Sequence, residues 1–278
     1  LVEAGTNVAI LLGLIIGGSL VAFIPGNQTF LGLGLIGFAV LGYLASLRIP
    51  LTPATDPGLK ISWNVWRETW RIVGFAREDR TVFLSILGIS WFWFFGTIMT
   101  VQIPAYTQII LNGSESISTA LLAAFVIGVG VGSLLCERMS GHRIELGLVP
   151  FGSIGLSLFA VDLYFAQPNG HATQVSTIAE FLARPGGLRI WIDLAMIGAF
   201  GGFYSVPLYA LIQKRSERSH LSRIIAANNI INSLLMVGAS VLSMVLLNAG
   251  LSIPQLFLVI EVDVSVAAGF FEFFVSFQ

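Results

Sequence analysis

The sequence predicts an all-α, polytopic membrane protein, and three observations predict it. First, 55% of the 278 residues are hydrophobic and only 10% are charged, against roughly 25% charged in a soluble domain. The mean hydropathy is +0.87. So few charges cannot cover a water-facing surface, and so apolar a chain is the opposite of a disordered one. Second, eight apolar runs approach the ~20 residues that a membrane helix needs. Third, the lysines and arginines between those runs fall on alternate sides, as cytoplasmic loops require. The runs do not alternate apolar with polar residue by residue, which excludes a transmembrane barrel.

Taken in order, the predicted spans are 7–24, 29–47, 82–106, 117–136, 146–166, 188–212, 223–248 and 254–276. Glycines sit inside them, as in Gly13-x-x-x-Gly17 and Gly128-x-Gly130-x-Gly132, where small residues at helical spacing let membrane helices approach closely. Between the second and third spans lie Arg48, Lys60, Arg67, Arg71, Arg77 and Arg80. Arg138 and Arg143 follow the fourth span, and Lys214, Arg215, Arg218 and Arg223 lie around the junction of the sixth and seventh. Only Arg184 and Arg189 fall on the opposite side. This sorting puts both ends of the chain in the cytoplasm. The chain starts Leu1-Val2-Glu3 and runs into an apolar stretch without the basic start of a signal peptide, so it reads as a piece of a longer protein.

The long connection after the second span opens with Pro50, Pro53 and Pro57. Trp63, Trp66, Trp70 and Val73 then recur at the spacing of one helix face, while Arg67 and Arg71 fall on other faces. This predicts an amphipathic helix at headgroup level, with the plainer alternative of a hinge helix between two bundles.

Several chemistries are excluded. The net charge of −1 gives no basic field for nucleic acid. The lone Cys136 and three scattered histidines build neither a disulfide nor a metal site. No nucleophile triad and no phosphate-cradling glycine loop with a lysine is present. No cofactor and no catalytic residue is therefore expected.

Polar residues within spans are functional candidates, because lipid offers them no partners. Gln102 and Tyr106 bracket Pro104 on the third span, and Asn228, Asn229 and Asn232 lie on the seventh. Asn228 and Asn232 share a face, and Asn229 points about 100° away. They are candidates for a substrate path, with interhelical hydrogen bonding as the structural alternative. Arg189 and Asp193 have the spacing of an ion pair on one helix face, and Asp162 ends the fifth span on the same side; the two aspartates read as boundary anchors, with ion-coupling sites as the alternative. Glu261, Asp263 and Glu272 on the eighth span are costly in lipid and are not assigned a site.

Two spans, a long cytoplasmic loop and then six spans resemble the major facilitator superfamily, whose two six-helix halves are joined by such a loop. The resemblance divides the chain into 1–48 (last two helices of the N-terminal bundle), 49–81 (cytoplasmic linker with the amphipathic helix) and 82–278 (the C-terminal six-helix bundle). It implies an incomplete fold with four helices missing before Leu1. The loop Gly132-Ser-Leu-Leu-Cys-Glu137-Arg138-Met-Ser-Gly141-His142-Arg143 is similar to the superfamily's Gly-x-Leu-x-Asp-Arg-x-Gly-Arg-Arg pattern, with Glu for Asp and altered spacing at both glycines. It makes Glu137, Arg138, Gly141 and Arg143 candidates for a cytoplasmic gate; the bland alternative is an ordinary basic loop. The segment Gly201-Gly-Phe-Tyr-Ser-Val-Pro207-Leu-Tyr-Ala-Leu-Ile-Gln213 and the run Ala226-Ala-Asn228-Asn229-x-x-Asn232 resemble the bacterial lysophospholipid transporter family and its acyltransferase-fused relatives. That resemblance implies inward movement of a lysophospholipid across the bacterial inner membrane, by alternating access, for re-acylation by a partner acyltransferase. Membrane lipid is the surrounding partner. Three alternatives stay open: an exporter of drugs or other amphiphiles, the membrane segment of a bifunctional acyltransferase, and a non-transporting membrane anchor.

Overall fold

The computed structural model describes residues 9, 12–13, 16–17, 28–50, 63–141, 143–167, 174–175, 177–217 and 220–260. Within them the chain is helical. α1 covers Gln28–Ser46, α2 Val65–Glu78, α3 Arg80–Ala105, α4 Glu115–Met139 and α5 Leu148–Phe165. α6 is short, Ile178–Ala183; α7 covers Gly187–Arg215, α8 Leu221–Asn248 and α9 residues 253–260. Five helices are long and apolar enough to cross a membrane: α3 with its continuation to Ile110, α4, α5, α7 and α8. They match the third to seventh predicted spans, and α1 matches the second. Of the first predicted span only residues 9, 12–13 and 16–17 are described. The eighth is described as far as residue 260, so Glu261, Asp263 and Glu272 lie outside the described residues, as do Pro53, Pro57 and Lys60.

The boundaries have local causes. α2 starts where the Asn64 side chain accepts from the Arg67 amide at 3.0 Å, satisfying one of the orphan donors of the first turn. Asp79 both ends α2 and caps α3, its carboxylate accepting from Thr81 and Val82 at 2.8 and 3.2 Å. The third span thereby begins at Arg80, two residues before the apolar run. It also ends later than predicted. Pro104 lacks an amide hydrogen, yet the helix runs on through a π turn, Tyr106–Ile110, closed by Leu111 N–H to the Tyr106 carbonyl at 3.1 Å. α7 begins after Gly186, whose φ of +84° suits only glycine. It carries Lys214 and Arg215 in its last turn, where the helix dipole favours cations.

The connection before α7, between the fifth and sixth predicted spans, contains two ordered pieces. Val175 pairs with the strand-like residues after the π turn, accepting from Ser114 N–H at 3.1 Å and donating to the Asn112 carbonyl at 3.1 Å. α6 then opens with a capping box between Thr177 and Glu180.

α7 is the hub. It packs against α4, α5 and α3, while α8 packs against α3 and α2. The α4–α7 crossing is made of glycine on both sides. A Cβ placed on Gly128 would lie 2.1 Å from the Ala195 carbonyl oxygen, and one on Gly132 only 1.9 Å from that of Ala199. In return, Gly198 faces the Phe125 carbonyl and Gly202 the backbone of Val129 and Ser133. The backbones touch because none of the four has a side chain, the condition for close membrane helix packing. Phe151, Phe159, Phe200 and Phe203 fill the space between α5 and α7, with ring centroids 5.2–6.1 Å apart.

Candidate functional site

The predicted path residues lie on or near the α3–α8 seam, and the structure sorts them by environment. Asn228 and Asn232 are buried on one face of α8 and Asn229 is exposed on another, as the helical spacing predicts. Asn232 is already engaged: the Ser90 hydroxyl on α3 donates to its Oδ1 at 2.6 Å. Asn228 donates weakly to Asn229 at 3.5 Å, and its own buried Oδ1 has no hydrogen-bond partner among the described residues. Farther along the seam, Gln102 joins Thr97, Ile98, Val101, Ser240 and Ser243 around a recess of about 50 Å³. That is room for one or two waters. Between these levels Trp93 Nε1 donates to the Tyr209 hydroxyl at 2.8 Å, linking α3 to α7.

Tyr106 does not join this group. It is fully buried at the start of the π turn, packed on Phe257 of α9 with centroids 5.8 Å apart. Its N–H still bonds the Gln102 carbonyl, so the two share a helix face, but its ring packs on Phe257 and not on the recess that Gln102 lines.

The exposed surface of α8 is divided lengthwise. Ser222, Asn229, Ser233 and Ser240 form one stripe, and Leu234, Val237, Val241, Met244 and Val245 form the stripe beside it. At 100° per residue the first stripe spans about 40° of arc and the second about 100°. The serines turn inward on the helix itself, Ser233 to the Asn229 carbonyl at 2.9 Å and Ser240 to that of Met236 at 3.1 Å. The polar stripe was legible as residues 229, 233 and 240 at helical spacing, but only the asparagines had drawn attention. Ser90, buried in an aromatic run of α3, gave no sequence signal.

The four gate candidates sit together at the end of α4. Glu137 and Arg138 are exposed in its last turn, Gly141 adopts φ +56°, and Arg143 is exposed beyond it. The reversal is tight: Gly141 N–H donates to the Arg138 carbonyl at 3.2 Å and Arg143 N–H to that of Ser140 at 3.0 Å. The glycine of the loop pattern is thus needed for its positive φ. Gly132, the opening residue of the same pattern, serves the α4–α7 crossing instead. His142 lies outside the described residues.

At the opposite end, the pairing differs from the one that spacing suggested. Arg189 donates from Nε to Asp162 at 2.9 Å, with a second contact from Nη2 to the other carboxylate oxygen. The pair joins α5 to α7 rather than running along α7 to Asp193. Asp193 points into the bundle instead, buried beside Asp162, with Oδ2 lacking a hydrogen-bond partner among the described residues. Arg184 Nη1 donates to the Leu111 carbonyl at 3.0 Å and so ties the segment before α7 to the end of the π turn.

A family profile described as Major Facilitator Superfamily matches residues 1–270. The chain is also similar to proteins named lysophospholipid transporter LplT. It is 28% identical to that of Cronobacter sakazakii over 225 residues, 29% to that of Klebsiella pneumoniae over 227, and 28% to that of Escherichia coli O157:H7 over 226. Each alignment covers 79% of this chain and 50% of the relative, so the chain spans about half the length of the curated relatives it matches. No solved structure matches.

Proposed function

The chain belongs to the major facilitator superfamily, and from that premise we propose that it forms part of a transporter moving lysophospholipids across the bacterial inner membrane by alternating access. The observation that carries this reading is the divided face of α8. A lysophospholipid has one polar head and one apolar tail. A helix offering an amide and hydroxyls on one stripe and aliphatic side chains on the next suits both parts of such a molecule without burying a charge. The names of the similar proteins support the same substrate class.

In this reading α1 belongs to the end of the N-terminal bundle, residues 49–81 are the cytoplasmic linker, and residues 82–278 form the C-terminal bundle. The bundles rock about the path between them. Asn229, exposed on the polar stripe, and Asn228, whose buried Oδ1 has no hydrogen-bond partner among the described residues, meet the headgroup or its water. Gln102 lines the path beyond them, and Asn232 holds α8 to α3 through Ser90. Glu137, Arg138, Gly141 and Arg143 shape the cytoplasmic gate. The protein performs no chemistry itself; a lysophospholipid acyltransferase consumes the delivered substrate.

Uptake of radiolabelled lysophosphatidylethanolamine into spheroplasts carrying the full-length protein tests the proposal. Asn228→Ala and Asn229→Ala are expected to lower uptake while expression and thermal stability stay near wild type. Normal uptake in both variants removes them from the path. A loss of stability in proportion to activity makes them structural.

A further inference from the structure

α2 presents an apolar face that no described residue covers. Trp63, Trp66 and Trp70 are 93%, 80% and 66% exposed, although tryptophan is usually well buried in folded proteins. The orientation of the helix is nevertheless set. Val73 and Ala76 are buried, and α2 packs against α8 and α3. Phe75 stacks on His220 with centroids 5.2 Å apart and lies under the Arg223 guanidinium at 4.8 Å. Trp66 and Trp70 therefore adjoin the packed side and face outward, with Trp63 just before the helix start and Arg67 and Arg71 turned about 60–140° away from the two.

What adjoins that face follows from the position of α2. Its last residue, Glu78, is separated from the first residue of the membrane-spanning α3 only by Asp79. The helix thus starts from the membrane boundary itself, on the side that holds most of the basic residues. Indole rings prefer the headgroup layer, where an apolar body and one N–H donor are both accommodated. Guanidinium groups pair with phosphate oxygens.

The geometry points to α2 as a membrane-surface helix whose Trp66 and Trp70, with Trp63 just before its first turn, insert into the phospholipid headgroup layer, with Arg67 meeting lipid phosphate while Arg71 pairs with Glu68 at 3.2 Å. This is independent of the substrate moved. Because Phe75 grips the first turn of α8, the same contact fixes the cytoplasmic end of the helix that carries Asn228 and Asn229.

The test uses the full-length protein in lipid nanodiscs and compares it with the Trp63→Phe/Trp66→Phe/Trp70→Phe variant. All three sites are exposed, so the variant keeps the packed core, and the difference in emission isolates the α2 tryptophans from Trp91, Trp93 and Trp191. Phosphatidylcholine brominated near the carbonyl end of its acyl chains is expected to quench the difference signal, aqueous acrylamide to quench it little, and its maximum to lie blue of that of exposed indole. Strong acrylamide quenching without quenching by brominated lipid overturns the proposal, because the stripe then faces water. Quenching by neither overturns it as well, because protein then covers the stripe. A spin label at Trp66→Cys in a Cys136→Ala background gives the depth directly, and a label accessible to a water-soluble relaxant but not to oxygen also refutes it.

Discussion

Replacing Gly132 by alanine should drive α4 and α7 apart, and the structure sets the size of the effect. The new Cβ would stand 1.9 Å from the Ala199 carbonyl oxygen and 2.6 Å from two further backbone atoms of the same residue. Ordinary contact begins near 3.4 Å, so the two backbones must separate by about 1.5 Å, since a carbonyl in mid-helix has no rotamer to change. Overpacking of this kind costs about 1–3 kcal/mol, and the upper end is expected because backbone rather than a flexible side chain must yield. Gly130, two residues away on the same helix, meets nothing within 4 Å. Gly130→Ala should gain up to ~1 kcal/mol from the lost backbone freedom of glycine. The assay is thermal unfolding of the detergent-solubilised full-length protein, followed by size-exclusion fluorescence. At roughly 2–4 °C per kcal/mol for a chain of this size, Gly132→Ala should unfold several degrees below wild type and Gly130→Ala at or slightly above it. Equal unfolding temperatures for the two variants would refute the glycine-to-backbone crossing.

Three further outcomes are expected. Ser90→Ala and Asn232→Ala should each cost about 0.6 kcal/mol, the usual size of an interhelical side-chain bond in membranes, and the double variant should cost little more than either alone; additive losses would mean the two do not act as a pair. Arg189→Gln and Asp162→Asn should each lower stability only slightly, because the pair is half exposed, with the effect fading at high salt; a large salt-independent loss would contradict a rim position. Glu137→Gln should shift the balance of inward- and outward-open forms by roughly 1–3 kcal/mol, read as distances across the cytoplasmic mouth, and unchanged distances would discard the gate.

The Glu137–Arg143 loop and the asparagine run show how far sequence reading reaches. The stretch Glu137 to Arg143 was found by its pattern, and the structure supplies the reason for Gly141, a φ of +56°. Asn228, Asn229 and Asn232 were found because an amide in an apolar run stands out, and helical spacing predicted that Asn229 points away from the other two; the packing decided that it is the exposed one. Ser90 was not found. Serine in an apolar helix often bonds its own backbone, as Ser85, Ser233 and Ser240 do here, and nothing in the sequence marks the one that reaches across to another helix.

By itself the sequence determined the class of the protein and the placing of the third to seventh membrane helices. Each follows from transfer of side chains between water and lipid, a property of residues taken along the chain. It also placed a helix at α2, though Trp63 falls just before it and Val73, predicted on the tryptophan face, is buried. Only the tertiary structure decided which partner each group met. Spacing allowed Arg189 to pair with Asp193, but the crossing of α5 over α7 brings Asp162 closer. Proximity to Pro104 grouped Tyr106 with Gln102, but the neighbour each ring or amide meets differs: Tyr106 is buried against Phe257 of α9, and Gln102 lines a recess with Ser240 and Ser243 of α8. The glycines of α4 divide in the same way: Gly128 and Gly132 meet backbone while Gly130 meets nothing, because the crossing of two helices selects one face and the composition of a single helix cannot say which.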